Sequence, residues 1–133
     1  MAELVDRLAD AVVVADASGT ICYWNNAAER IFGWSASEAV GNSLDLIIPD
    51  RQRPAHWNGY EQVMRSGHTR YGDELLRVPA LHRDGERRSI AFTVTLLTSP
   101  DDSVRGIAAV IRDETQRWAD EQELRRQLGG STG

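Results

Sequence analysis

Residues 53–62 read RPAHWNGYEQ and place one histidine, His56, inside a segment with a helical pattern. A neutral imidazole can ligate iron, exchange a proton near neutral pH, or sit half-buried as an ordinary side chain. His56, Tyr60 and Val63 are spaced i, i+4 and i+7, so they would share one face of a helix. His56 therefore stands among hydrophobic residues, which leaves two interpretations: it ligates a metal-centred cofactor, or it packs in the core and hydrogen-bonds a carbonyl.

The other residues that could do chemistry do not form a known enzyme or metal motif. His56, His68 and His82 are irregularly spaced, and no Cys-x-x-Cys or His-Glu-x-x-His pattern accompanies them, so a dedicated zinc or iron site is not expected. Asp73 and Glu74 form a carboxylate pair, but no nucleophile or partnered base is close in sequence. We therefore expect no enzymatic activity.

The helix that carries His56 has clear start and stop signals. Pro54 suits the first turn of a helix, and Gly67 suits its end. Before this helix, Asp-Ala-Ser-Gly at residues 16–19 separates two β-branched or aromatic runs and predicts a β-hairpin. An asparagine cap, and then Ser35 with Glu38 at capping-box spacing, predict two short helices after the hairpin.

Three strand-like runs follow the long helix, with the sequences LLRVPAL, SIAFTVTLL and VRGIAAVIRD. Turn compositions separate them, and the last two alternate enough to suggest an antiparallel meander with one buried face. A helix then leaves the domain through TQRWADEQELRRQL. Two strands, several short helices and three further strands predict an α+β fold, in which helices cover one face of a five-stranded antiparallel sheet.

Length and composition limit the class of protein. A chain of 133 residues with 41% hydrophobic and 26% charged residues is expected to form one domain. The net charge of −5 and the lack of a basic stripe argue against direct nucleic-acid binding. Cys22 is the single cysteine, which suits a reducing, cytoplasmic setting, and no apolar run approaches the roughly 18 residues of a membrane span.

Three stretches carry a resemblance to a known family: GTICYWNNAAERIFGWSASEAVGNSLDLIIP, HRDGERRSIAFTVTLL and GIAAVIRDETQR. Over nearly its whole length the chain resembles the PAS domains of bacterial signalling proteins, and Asp113-Glu114-Thr115 is similar to the Asp-x-Thr ending common in them. The resemblance implies a sensory module that binds a small ligand or cofactor between sheet and helices. It also implies flanking helices that pass the signal to the output domain of a parent protein.

Within that family, RPAHWNGY resembles the helix of oxygen-sensing heme PAS domains found in some histidine kinases and cyclic-nucleotide phosphodiesterases, and His56 matches their heme-iron ligand. Arg70 matches a position that contacts a heme propionate, and a guanidinium suits that carboxylate. His68 and Arg65 are weaker candidates for this contact. The resemblance thus implies b-type heme held by eight residues, with His56 as the metal ligand: His56, Tyr60, Val63, Arg70, Tyr71, Leu76, Phe92 and Val94.

The sequence departs from those heme proteins at Leu76, which falls where they carry the arginine that hydrogen-bonds bound oxygen. Arg77 follows directly, but a one-residue offset on a strand turns a side chain to the other face. Phe92 and Val94 match aliphatic positions on the gas side. The resemblance then implies an apolar gas side that favours carbon monoxide or nitric oxide over dioxygen, with Tyr71 as one possible hydrogen-bond donor.

Two organisations of function follow. In the first, residues 11–115 form the sensor, 1–10 and 116–128 form flanking helices, and 129–133 form a linker or tag. A homodimer through the terminal helices relays the signal to the output domain. In the second, the PAS module binds no heme and serves dimerisation or docking to a partner protein, and the cleft holds side chains or a small organic ligand.

Overall fold

The structure is a computed structural model that describes residues 10–67 and 76–131. Its strands and helices form an α+β fold, as the sequence predicts. In chain order they are β1 (Ala11–Asp16), β2 (Ile21–Trp24), α1 (Asn26–Phe32), α2 (Ala36–Ala39), the 3-10 turns Leu44–Ile47 and Asp50–Gln52, α3 (Arg53–Ser66), β3 (Leu76–Leu81), β4 (Arg87–Thr98), β5 (Val104–Asp113) and α4 (Thr115–Ser131).

The five strands form one antiparallel sheet in the order β2-β1-β5-β4-β3. The first and last strands of the chain are therefore neighbours in the middle of the sheet. Ala11, Val13 and Ala15 on β1 are buried and alternate with residues that are partly exposed. This period of two is typical of a strand with one face on the core, and α1, α2 and α3 lie over that face.

Asn25 connects the sheet to the helices. Its side-chain Oδ1 accepts from the backbone nitrogen of Ala28 at 3.0 Å, which caps α1, and from that of Val12 at 2.9 Å. The Nδ2 group donates to the carbonyl of Asp10 at 3.1 Å. Because Asn25 is 1% exposed, these bonds are shielded from water, and they fix the position of α1 against β1.

The capping signals near α2 are confirmed. Ser35 accepts from the backbone nitrogen of Glu38, whose carboxylate in turn accepts from the backbone nitrogen of Ser35 at 3.1 Å. Trp24 and Phe32 pack in the core with their ring centroids 5.4 Å apart. The short helices thus fill one end of the layer that covers the sheet.

The exit helix α4 is attached to the sheet at its first residues. Thr115 accepts from the backbone nitrogen of Ser89 on β4 at 3.0 Å, and Asp113 accepts from the backbone nitrogen of Thr115 at 2.9 Å. The buried Glu114 carboxylate lies 3.4 Å from the Arg77 guanidinium on β3. The Asp-x-Thr ending therefore joins strand and helix and also contacts two other strands.

Helix α4 continues to Ser131, whereas the sequence interpretation ended it at residue 128. Glycine lowers helix propensity by about 1 kcal/mol but does not forbid the helical conformation, so Gly129 and Gly130 can continue the helix. The predicted N-terminal flanking helix falls on residues 1–10, of which only Asp10 is described. Within the described ranges, no helix combines the length and apolar character needed to cross a membrane.

Gly106 on β5 should be intolerant of any side chain. A Cβ at this position would lie 2.2 Å from the carbonyl oxygen of Ala15 on the neighbouring strand. Because backbone cannot move aside cheaply, we expect Gly106→Ala to lower the free energy of unfolding by about 2–3 kcal/mol, measured by urea denaturation. The matched control is Gly59→Ala in α3, where a Cβ meets nothing within 4 Å. It should instead stabilise the protein by about 0.5–1 kcal/mol, and equal effects of both changes would contradict the packing described for β5.

Candidate ligand-binding cavity

A cavity of about 400 Å³ lies between α3 and the sheet. This volume falls within the range of roughly 300–1,000 Å³ that small-molecule sites occupy. The helix contributes a stripe of residues at helical spacing, beginning just before its first turn. These residues are Gln52, Ala55, His56, Gly59, Tyr60 and Val63.

The sheet side of the cavity is apolar. Leu76 pairs with Phe92 across β3 and β4, and Phe92 pairs with Ile111 on β5, so the three side chains form one row on one face. Val94 pairs with Ala109 in the next row. All five residues line the cavity. A ligand would therefore contact apolar side chains on the sheet side, whereas the polar side chains of the lining lie on the helix side.

The cavity opens to solvent along part of α3. Ala55 and Gly59 line it and are also exposed. Their small size leaves space that larger side chains would fill, since a Cβ added to Gly59 meets no atom within 4 Å. A ligand with a charged or polar edge could keep that edge in water at this opening while its apolar body contacts the sheet.

Helix α3 is held by contacts with the end of β1, with the β1–β2 turn and with the 3-10 turn Leu44–Ile47. The Tyr60 hydroxyl donates to the backbone carbonyl of Asp16. Trp57 donates from Nε1 to the Asp45 carboxylate at 2.7 Å, and its ring covers Gly19 so closely that a Cβ there would lie 2.1 Å from the indole. These contacts fix the helix at the turn and leave the space above β3, β4 and β5 open.

Arg53 fixes the first turn of the same helix. Its guanidinium donates to the carbonyls of Ile48 and Asp45, each at 3.1 Å, and pairs with the Asp50 carboxylate at 2.8 Å. The last of these partners is highly exposed, so that ion pair contributes little to stability. The bonds to the two carbonyls are directional, and they set the angle at which α3 enters the domain.

His56 is held in an environment that favours the neutral imidazole. Burial lowers its pKa below the ordinary value of 6.5, and the Asp45 carboxylate opposes that shift. Its Nδ1 is buried without a hydrogen-bond partner, and its ring lies edge-on to Trp57 at 4.6 Å between centroids. A neutral imidazole has a lone pair on one nitrogen, which is the form that ligates a metal.

Tyr60 lines the cavity, but its hydroxyl is already engaged. Burial, aided by the negative charge of Asp16 and by Cys22, raises the pKa of Tyr60 to about 12. The phenol therefore stays protonated, and its proton is donated to the Asp16 carbonyl. Tyr60 offers a ligand its ring face and not its hydroxyl.

Six of the eight predicted site residues come together in this one cavity: His56, Tyr60, Val63, Leu76, Phe92 and Val94. The other two, Arg70 and Tyr71, lie outside the described residues, as does His68. Arg65 is exposed on the last turn of α3 and is not among the cavity-lining residues. Arg77 is exposed and pairs with Glu114, so it faces away from the cavity, as its one-residue offset from Leu76 predicts.

Sequence reasoning missed Gln52, Ala55 and Gly59 on the helix, and Ile90 and Ile111 on the sheet. Two signals could have found all of these except Ile111, which lies on β5. The stripe of His56, Tyr60 and Val63 extends backward in steps of three and four residues along the helix. The alternation that selects Phe92 and Val94 extends in steps of two along β4.

Stability should depend on pH through His56. The folded state disfavours the charged imidazole, so the unfolded chain binds a proton at pH values below about 6.5 where the folded chain does not. The contribution of neutral His56 to the free energy of unfolding is therefore fully present above about pH 6.5. It is lost as the pH falls toward the lowered pKa that His56 has in the folded state. We expect the free energy of unfolding of the wild type, minus that of His56→Gln, to be constant above about pH 7 and to decline as the pH falls below about 6.5. A difference that does not change with pH would contradict the burial of a neutral imidazole.

Comparisons with known proteins agree with this fold. The family model described as PAS fold matches residues 1–113. The chain is 38% identical over 53 residues to the sensor protein FixL of Bradyrhizobium diazoefficiens, which covers 40% of this chain and 10% of FixL. It is 25% identical over 114 residues to the oxygen sensor protein DosP of Escherichia coli, which covers 86% of this chain and 14% of DosP.

The fold is similar to the crystal structure of the PAS domain of a protein from Colwellia psychrerythraea. The TM-score is 0.75 at 23% identity, over 86% of this chain and 94% of that chain. The chain spans between 10% and 17% of the length of three curated relatives that it matches. The match to the PAS fold family covers most of the sequence, and the sheet and helices have that architecture; the chain therefore belongs to the PAS family and is a sensory module related to those of bacterial sensor proteins.

Proposed function

We propose that this PAS domain is a gas or redox sensor that binds b-type heme in the cavity, with the His56 imidazole as the iron ligand. The observation that carries the proposal is the state of His56. The ring lines an apolar cavity and is held neutral, and its Nδ1 is buried in the protein. With its proton on Nδ1, the neutral ring would offer the lone pair of Nε2 to a ligand in the cavity.

The remaining walls fit a flat, apolar cofactor with a polar edge. Two of the described residues that line the cavity are of types that ligate heme iron, His56 and Tyr60, and the Tyr60 hydroxyl is already bonded to the Asp16 carbonyl. The row of Leu76, Phe92 and Ile111 offers hydrocarbon contact. The opening beside Ala55 and Gly59 lets propionates remain in water.

The wall of the sheet would set which gas is favoured. When bound, heme supplies a coordination position for a diatomic gas. Leu76, Phe92 and Val94 carry no hydrogen-bond donor, so they exclude water and give no polar stabilisation to a gas beside them. We therefore propose carbon monoxide or nitric oxide, in preference to dioxygen, as the signal. The similarity to FixL, a sensor protein, and to DosP, an oxygen sensor protein, supports a sensory function.

We propose that β3 carries the signal from the cavity to the exit helix. Leu76 lines the cavity, and Arg77 beside it pairs with the buried Glu114 at the start of α4. A ligand that displaces Leu76 also moves Arg77, because the two share a backbone. The distance between Arg77 and Glu114 would then change on the opposite face of the sheet, and the first residues of α4 would shift.

Helix α4 is the part through which we propose that the domain forms a homodimer and contacts an output domain. Leu124 and Leu128 lie one turn apart and are 55% and 60% exposed. Two exposed leucines at i and i+4 form an apolar stripe that a second copy of the helix could cover.

A second candidate function is a heme-free PAS module that serves dimerisation or docking, with a small organic ligand in the cavity. The observation in its favour is Gln52, whose buried side-chain oxygen lines the cavity without a partner. An amide oxygen accepts a hydrogen bond from a neutral organic molecule as readily as from a protein group. The two candidates differ in whether the protein retains heme and whether retention depends on His56.

The heme proposal predicts that purified protein incubated with hemin and desalted retains a Soret band, and that His56→Gly does not. Added imidazole should restore the band to His56→Gly, since it replaces the missing ligand in the space that the side chain leaves. His82→Gln is the matched control because His82 lies on the turn after β3 and does not line the cavity. Retention of hemin by His56→Gly without imidazole would contradict ligation by His56.

The dimer proposal predicts that Leu124→Glu combined with Leu128→Glu shifts the protein from dimer to monomer in sedimentation velocity. Gln122→Glu with Gln127→Glu is the control, because these exposed positions on the same helix receive the same added charge. The control should remain dimeric. A monomeric wild type, or equal dissociation of both variants, would rule out this leucine stripe as the interface.

A further inference from the structure

Gln52 carries a polar atom that the protein itself leaves unpaired. Its side-chain Oε1 is buried without a hydrogen-bond partner, and the residue lines the cavity. A buried acceptor without a partner destabilises the folded protein, so such groups are uncommon unless a ligand or another state of the protein satisfies them. Gln52 directly precedes α3 and has helical backbone angles, with φ −90° and ψ −10°.

His56 follows Gln52 by four residues, which places the two side chains on the same face, one turn apart. Each carries one buried atom that lacks a partner, Oε1 on Gln52 and Nδ1 on His56. An amide oxygen only accepts hydrogen bonds, whereas Nδ1 donates one whenever it holds the imidazole proton. The two unpaired atoms are therefore complementary for one of the two neutral forms of the ring.

Ligation selects that form. A neutral imidazole has one N–H, and a metal on Nε2 takes the lone pair of that nitrogen, so the proton must be on Nδ1. A metal-ligating histidine almost always donates this remaining N–H to a carboxylate or a carbonyl oxygen, which orients the ring and increases its basicity. Burial lowers the pKa of His56, and the charge of the Asp45 carboxylate opposes that shift. However, Asp45 Oδ1 already accepts a hydrogen bond from Trp57 and lies 3.7 Å from the Arg53 guanidinium.

This inference rests on the proposed ligation of heme. We propose that Gln52 is a positioning residue whose Oε1 accepts the hydrogen bond from His56 Nδ1–H when Nε2 ligates iron. The bond fixes the orientation of the imidazole relative to the cavity. It also sets how much electron density the ring donates, since a stronger acceptor on Nδ1–H gives the ring more imidazolate character.

The sign of this effect can be tested with two opposite substitutions. Gln52→Leu removes the acceptor, so the iron–histidine stretching frequency of the reduced protein should fall and the reduction potential should rise. Gln52→Glu offers a stronger, charged acceptor, so both quantities should move in the opposite direction. Gln52→Leu should also weaken hemin binding by about 10- to 100-fold, the usual effect of removing a partner of a ligating histidine.

The experiment measures resonance Raman spectra and reduction potentials of the wild type, Gln52→Leu, Gln52→Glu and a control after loading with hemin. Gln62→Leu is the control because Gln62 is exposed on the same helix and is not among the cavity-lining residues. It should match the wild type. If Gln52→Leu does not fold, Gln52→Asn replaces it, because the shorter amide reaches less far and asparagine suits the start of a helix.

The outcomes separate this inference from the proposed function. If the wild type retains no hemin, both proposals are wrong. If hemin is retained through His56 and the stretching frequency is the same in all Gln52 variants, ligation stands and the role of Gln52 is wrong. Opposite shifts in Gln52→Glu and in Gln52→Leu or Gln52→Asn support the hydrogen bond, because a merely structural role would not change sign with the acceptor strength.

Discussion

The attachment of α3 to the end of β1, to the β1–β2 turn and to the 3-10 turn Leu44–Ile47 is the constraint on which the rest of the site depends. The Tyr60 hydroxyl is bonded to the Asp16 carbonyl, and the Trp57 indole is bonded to Asp45 and packed over Gly19. Asp16 ends β1, whereas Gly19 and Asp45 belong to turns, so these contacts hold the helix beside the β1–β2 hairpin. A helix without such anchors would gain stability by closing onto the apolar strands, because burial of apolar surface is the main favourable contribution to folding. These anchors and the cavity occur on the same helix.

The chemical character of the cavity follows from which element forms each wall. The sheet contributes hydrocarbon, because residues facing the core of a half-buried antiparallel sheet are apolar. The helix contributes the polar atoms that remain unpaired, on Gln52 and His56, while the Tyr60 hydroxyl is committed to the protein. A ligand that suits both walls has one coordinating or hydrogen-bonding centre and an otherwise apolar body. On the other face of the sheet, Arg77 of β3 pairs with Glu114, which directly precedes the exit helix. Strand β3 therefore contacts both the cavity and the start of that helix.

The sequence predicts the local features and the residues that share a periodic face. The β1–β2 hairpin, the capping box of Ser35 and Glu38 and the α+β order are confirmed, because each depends on neighbours a few residues apart. The stripe from His56 to Val63 is readable for the same reason. The sequence does not show that the side-chain oxygen of Gln52 is buried, since a polar residue before a helix is usually solvated. The cavity itself depends on contacts such as Trp57 with Gly19, which are distant in sequence and leave no periodic signal.

The most direct test of the central claim is a crystal structure of the protein loaded with hemin. We expect a porphyrin between α3 and the sheet, with its iron bonded to Nε2 of His56, its apolar face on Leu76 and Phe92, and its propionates at the opening beside Gly59. A porphyrin bound on the outer surface of the protein, or one in the cavity whose iron has no bond to His56, would contradict the claim that this helix and this sheet form a heme site.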